Sequence, residues 1–294
     1  MSNPNFPQDL NIRPSQPSQE EPDAALFDYA HQQEAIRVFG IAGKVWKAAY
    51  ALNAYIRPQP GLVFDPPLFT GPDAREPLRI LELGSGSGIV AATMAPLLQR
   101  ARDIMFVTDL PEVCALLEQN LRAHNDLLLV RPLSWGSSEH ARGIAAELLD
   151  LAKNSPYLTH ILCSDLIYFP ELLAPLLRSC IELSSPPFVA VPSDVELIIS
   201  YKIRSLAKET PFWAAFGLWF EFAPILARKT GSSWRRFGAD FEDPTFVFVA
   251  RRREKSFNWI VPSNDEDLMY GAAGDDTFET LLLMSLDDPD VTTQ

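Results

Sequence analysis

Ser164-Asp165-Leu166-Ile167-Tyr168 places an acid one residue past the apolar run Ile161-Leu162-Cys163 and a phenol three residues later. An acid closing such a run belongs in a crevice, because burying it unpaired is costly. With a helical turn between them, carboxylate and ring share that crevice and can attract and orient a cation. The same spacing also fits a plainer arrangement, with Asp165 capping the helix near Pro170 and Tyr168 packed. Upstream, Gly84-Ser85-Gly86-Ser87-Gly88 follows the apolar residues Ile80, Leu81 and Leu83. Glycines at alternate positions let backbone approach a ligand closely. A strand, glycine turn and helix in series is a nucleotide-type binding unit, although the stretch also reads as a tight turn. A dinucleotide fingerprint wants glycine at position 89, where this chain has Ile89. Asp109 follows the loop by about 20–25 residues, the spacing of an acid that accepts from ribose hydroxyls. It equally suits an N-cap for a helix beginning near Pro111. Trp135, in Leu133-Ser134-Trp135-Gly136, offers a ring for an adenine face or for the core.

These residues must be held by a scaffold, and strand alternates with helix along the chain. The pattern predicts one helical stretch over Gln32–Ile56, then a proline-rich loop over 65–77. Strands are predicted at 79–83, 104–109, 127–133, 158–165 and 187–192. Helices are predicted from Ile89, from Pro111, and over 139–153, 170–183 and 195–210. Trp219–Ile225 and Thr245–Arg251 read as strands with no helix between them, and 231–242 as an irregular loop. Such alternation gives a parallel sheet with right-handed crossovers, closed here by an antiparallel hairpin. Each candidate residue then falls at the carboxyl end of a strand, where open α/β sheets bind ligands. Phe212–Phe220 is rich in Trp and Phe and fits either substrate choice or core. Residues 1–24 read as a disordered extension, 25–253 as the α/β domain and 254–294 as an acidic, disordered tail with a short helix near Leu281.

A net charge of −13 over 294 residues argues against a nucleic-acid partner, which would want a basic face. The acid is uneven: the stretch 254–294 holds ten acidic residues against Lys255 alone. Three cysteines and four scattered histidines show no metal spacing, and no apolar run is long enough to span a membrane. Residues 1–21 lack a signal-peptide pattern. The expectation is a cytoplasmic or nuclear monomer without metal.

Four separated motifs carry a resemblance. They are Ala42-Gly43-Lys44-Val45-Trp46-Lys47-Ala48-Ala49, Leu81-Glu82-Leu83-Gly84-Ser85-Gly86-Ser87-Gly88, Leu133-Ser134-Trp135-Gly136, and Ser164-Asp165-Leu166-Ile167-Tyr168. In this order they resemble family 16 of the seven-β-strand protein-lysine methyltransferases. Gly43-Lys44-Val45-Trp46 and Val107-Thr108-Asp109 are most similar to the fungal elongation-factor enzymes. The resemblance spans about residues 40–252. It implies a Rossmann-like, seven-stranded class I methyltransferase sheet. It also implies S-adenosylmethionine as methyl donor, contacted by Trp46, Gly84, Ser85, Gly86, Asp109, Trp135 and Ser164. Ser164 stands where most relatives have Ala. Asp165 and Tyr168 are then the catalytic pair. The implied acceptor is a lysine of a protein, a translation elongation factor being the first candidate.

Overall fold

The computed structural model describes residues 12–15, 27–69, 76–152, 155–190, 195–241 and 243–286. Two helices, α1 (Tyr29–Phe39) and α2 (Lys47–Ile56), precede a short strand, β1 (Leu62–Asp65). The parallel part follows: β2 (Arg79–Leu83), α3 (Ile89–Met94), β3 (Ile104–Asp109), α4 (Cys114–Asn120), β4 (Leu128–Pro132), α5 (Ser138–Leu151), β5 (His160–Ser164), α6 (Pro170–Leu183) and β6 (Glu196–Lys202). After α7 (Leu206–Trp219) come β7 (Phe220–Pro224), β8 (Leu226–Lys229), β9 (Arg235–Arg236) and β10 (Thr245–Arg252). Helices α8 (Asp265–Tyr270) and α9 (Thr277–Leu286) end the described chain.

Seven strands form one sheet in the order β4-β3-β2-β5-β6-β10-β7. Pairing is parallel from β4 to β6, and β10 runs antiparallel between β6 and β7. Strand β2 is buried along its whole length, as a central strand covered on both faces must be. Side-chain alternation sends Leu81, Leu83, Phe106, Ile161 and Cys163 toward the layer containing α5, α6 and α7. Ile80, Met105, Val107 and Leu162 pack on the opposite layer, with α2 and α3. β1, β8 and β9 form a separate three-stranded antiparallel sheet. This is the seven-stranded class I methyltransferase arrangement.

Several local expectations change. The stretch 32–56 is two helices, parted by a short 3-10 turn at Gly40–Gly43 and an extended break at 44–46. Gln32, buried, holds the break by accepting from the Val45 N–H. Strand β1 immediately precedes the expected loop and shares only its first residue, Asp65. Helix α4 begins at Cys114, past the turn containing Pro111. The stretch 195–210 is strand β6 and the start of α7, not one helix. Leu197, Ile198, Ile199 and Tyr201 are buried on both faces of the sheet, which erases the period that separates strand from helix. Residues 187–190 form no strand, although Phe188 and Val189 are buried; 191–194 lie outside the described residues. The hairpin contains β8 and β9 within its connection.

Residues 254–286 carry a 3-10 turn and two helices where disorder with a single short helix near Leu281 is expected; α9 contains Leu281. Phe278 is fully buried and stacks on Trp213 with ring centres 4.9 Å apart. Tyr201, Phe246 and Phe248 complete its surroundings. Phe212, Trp213 and Phe216 are therefore core. Arg178 of α6 fastens this segment, donating to the Pro262 carbonyl and to Asp265. The expected extension 1–24 lies outside the described residues apart from 12–15, where Ser15 exchanges hydrogen bonds with the Gln32 amide. Among the described residues no helix is long and apolar enough to cross a membrane, and no group of three or more His, Cys, Asp or Glu residues is placed to hold a metal ion.

Candidate active site

The carboxyl ends of β2, β3 and β5 open onto one pocket of about 280 Å³. The loop after β2 holds Gly84 at φ 58° and Gly86 at φ 54°, the left-handed region that side chains disfavour. A Cβ on Gly84 would lie 2.8 Å from Leu166 and 3.0 Å from Trp135; one on Gly86 would meet the Ala42 carbonyl at 3.2 Å. The loop is stitched to β3, with the Ser85 N–H donating to the Thr108 carbonyl (2.9 Å) and the Gly86 N–H to Asp109 Oδ2 (2.7 Å). Asp109 Oδ1 accepts from the Leu110 N–H. Asp109 thus braces the loop, lines the pocket and has acceptor capacity beyond the two N–H groups. Burial pushes its carboxyl up to about 6, against those two N–H groups. Burial likewise pushes Glu82, under the loop, up to about 8, with the Ser85 hydroxyl opposing.

Trp135 lies half-buried in the wall, its ring 6.3 Å from that of Tyr168. Burial raises the Tyr168 pKa, and Asp109 and Asp165 add to the effect, so the phenol keeps its proton at neutral pH. Ser164 lines the pocket, and its hydroxyl accepts from Ser200 on the neighbouring β6. Asp165, just past β5, has a left-handed backbone at φ 62°, a conformation costing a non-glycine residue about 1–2 kcal/mol. Strain of this kind collects at functional sites. The carboxylate is buried; Oδ2 accepts from Arg204 Nη2 at 2.5 Å. Oδ1 has no hydrogen-bond partner among the described residues.

Trp46 closes the pocket from the break between α1 and α2, its indole N–H donating to the Ile41 carbonyl. Its ring faces two cations, Lys44 Nζ at 4.6 Å and Arg204 Cζ at 5.4 Å. Of the nine residues singled out in the sequence, all but Ser85 line the pocket. Sequence reasoning missed Arg204. Burial pulls its pKa down, but Asp165 and Glu209 outweigh that and raise it. The residue follows the carboxyl end of β6, a position that becomes visible only when 196–202 is read as a strand.

Fold and site together define a class I methyltransferase, with the glycine turn, the acid after β3 and the acid after β5 on one sheet edge. The chain belongs to the lysine methyltransferase family, whose model matches residues 30–215. Membership bears out the resemblance carried by the four motifs and, with it, S-adenosylmethionine as methyl donor. Similar solved structures include TrmN from Thermus thermophilus, 17% identical at a TM-score of 0.37, covering 62% of this chain and 46% of that one. Precorrin-6y C5,15-methyltransferase from Geobacter metallireducens is 14% identical at a TM-score of 0.35, covering 70% and 87%. The O-methyltransferase NcsB1 of neocarzinostatin biosynthesis, in complex with S-adenosylmethionine, is 11% identical at 0.37, covering 60% and 49%. The chain spans about half the length of the first solved structures it matches.

Proposed function

We propose that this chain methylates the ε-amine of a lysine in a cytosolic protein, acting as a monomer. On the motif resemblance a translation elongation factor is the first candidate. The observation that carries this reading is the unpartnered Oδ1 of Asp165, in the same pocket as the glycine turn. S-adenosylmethionine fits that pocket. The space a Cβ would fill at Gly84 and Gly86 lets its methionine end approach backbone, Asp109 can accept from ribose, and Trp135 offers its face to adenine. When bound, it supplies an electrophilic methyl group next to a positive charge. Trp46 and Ser164 border the same space.

The chain's own work is positioning and charge management. A free lysine has a pKa of about 10.4, so its amine must shed a proton before it can attack. Asp165 Oδ1 accepts a hydrogen bond from the incoming nitrogen and fixes its direction. Tyr168 lines the approach with its ring and a protonated hydroxyl; it orients the amine and does not take the proton. A neighbouring positive charge favours loss of the ammonium proton to water before the amine attacks, as like charges do. The test is to incubate the chain with labelled S-adenosylmethionine and extract from cells lacking it, then map label by mass spectrometry. Label on protein lysines is expected. Label confined to small molecules, or none despite cofactor binding, would overturn the proposal.

A further inference from the structure

The whole chain is acidic, but the rim beside Asp165 is cationic. Lys44 and Lys47 come from the break before α2 and its first residue, Lys202 and Arg204 from the end of β6 and the turn after it. Lys47 and Lys202 share Asp243, both ammonium groups reaching Oδ2, at 2.6 and 2.7 Å. Arg204 is bound to Asp165, whose side chain is fully enclosed while that of Arg204 is 26% exposed. Glu209 is buried and occupied by the Tyr201 hydroxyl and the Arg204 N–H. Asp165 and Glu209 are therefore inside the protein, and Asp243 faces outward beside the four cations. Lys44 has no carboxylate partner among the described residues; its ammonium lies over the Trp46 ring. Burial, then Arg204, lowers its pKa, so it gains from an added anion.

We propose that this rim selects a lysine flanked by acidic side chains, with Lys44 receiving a carboxylate of the substrate segment beside the target. The proposal rests on the lysine reading above and adds the chemistry of the sequence around the lysine. A target lysine approaching Lys44 and Arg204 meets like charge, and a basic neighbourhood would add to it. Asp or Glu next to the target turns that repulsion into pairing. The −13 of the whole chain does not reverse this, because charges beyond about 10 Å are largely screened at 0.1 M salt.

The experiment uses three peptides with one central lysine and acidic, neutral or basic flanks. Methyl transfer by the full chain is measured with S-adenosylmethionine. Peptide binding is followed separately by fluorescence anisotropy with S-adenosylhomocysteine present. The acidic peptide should show a KM about tenfold below that of the basic one, an advantage that shrinks as salt is raised. Lys44→Met should erase the preference, Lys44→Glu should invert it, and Lys44→Arg should keep it. Equal KM values, or an unchanged order in Lys44→Glu with wild-type thermal stability, would overturn the proposal. If no peptide accepts methyl, the lysine reading stays with the labelled-extract experiment, and the anisotropy decides this one: acidic peptide bound no tighter than basic sinks it. Competition by single-stranded RNA stronger than by acidic peptide would also overturn it.

Discussion

Asp109 and Asp165 each close a parallel strand on the same sheet edge, and the chain treats them in opposite ways. Asp109 is held by the Gly86 and Leu110 N–H groups, and burial pushes its pKa up. Asp165 meets a full charge on Arg204, keeps one oxygen unpartnered and carries a left-handed backbone. The first arrangement suits neutral hydroxyl donors and doubles as a brace for the glycine turn. The second suits a cationic or amine partner arriving from outside. One topological rule places both acids, and under the proposed function their immediate partners divide them into a cofactor end and an acceptor end.

Three substitutions test that division, and a fourth tests the stability of the floor beneath the glycine turn. The largest effect belongs to Asp165→Asn, since Asn also tolerates a left-handed backbone. Methyl transfer should fall at least about 100-fold, while calorimetric affinity for S-adenosylmethionine changes little. A matching loss of cofactor affinity would merge the two ends. Gly86→Ala should act on the cofactor end alone. The left-handed φ and the Ala42 carbonyl in the way cost about 1–2 kcal/mol, hence roughly 5- to 30-fold in affinity if the loop opens. Titration calorimetry reads this directly.

Asp109 gives a pH test. Its pKa is raised to about 6, so the carboxylate forms, and gains acceptor capacity, as pH climbs through that value. Cofactor affinity should rise between pH 5 and 7 in the wild type. It should be flat and about tenfold weaker at pH 7.5 in Asp109→Asn. A flat wild-type profile would count against a ribose contact. Glu82 gives the smallest effect, and on stability only. Its folded pKa of about 8 exceeds the ordinary 4.5, so the native state binds more protons than the unfolded chain in between. The Glu82 contribution is therefore complete below pH 4.5 and is lost as pH rises toward 8. Glu82→Gln should raise Tm at pH 8 by about 2–4 °C and leave it nearly unchanged at pH 4.5.

The cofactor end was legible in the sequence because its signals are local. Glycine spacing, an acid at a set distance and a Trp after a strand each depend on a few consecutive residues. The acceptor end was half legible. Asp165 and Tyr168 stood out, but Arg204 did not, because β6 is buried on both faces and its apolar run reads as helix. The break at Lys44–Trp46 was hidden for a related reason: α1 and α2 share a helical period, and the partner that parts them, Gln32, acts across 13 residues. Acidity misled at the C-terminus. Ten acids in 254–294 suggest a solvated tail, but Phe278 enters an aromatic cluster assembled from α7, β6 and β10, and no window of sequence contains that cluster.

The placement of β10 between β6 and β7 also sets an order in time. Strand β10, the last among the described residues, must slot between two made earlier, so β6 waits with an unpaired edge while the chain from Lys202 to Arg252 is synthesised, and β7 waits from Pro224 onward. Those 50 residues take about 3–10 s at typical translation rates of about 5–20 residues per second. During that interval the strands expose the pairing surface that promotes association with other chains. The nascent protein therefore passes through a window in which its sheet lacks the strand that joins β7 to β6.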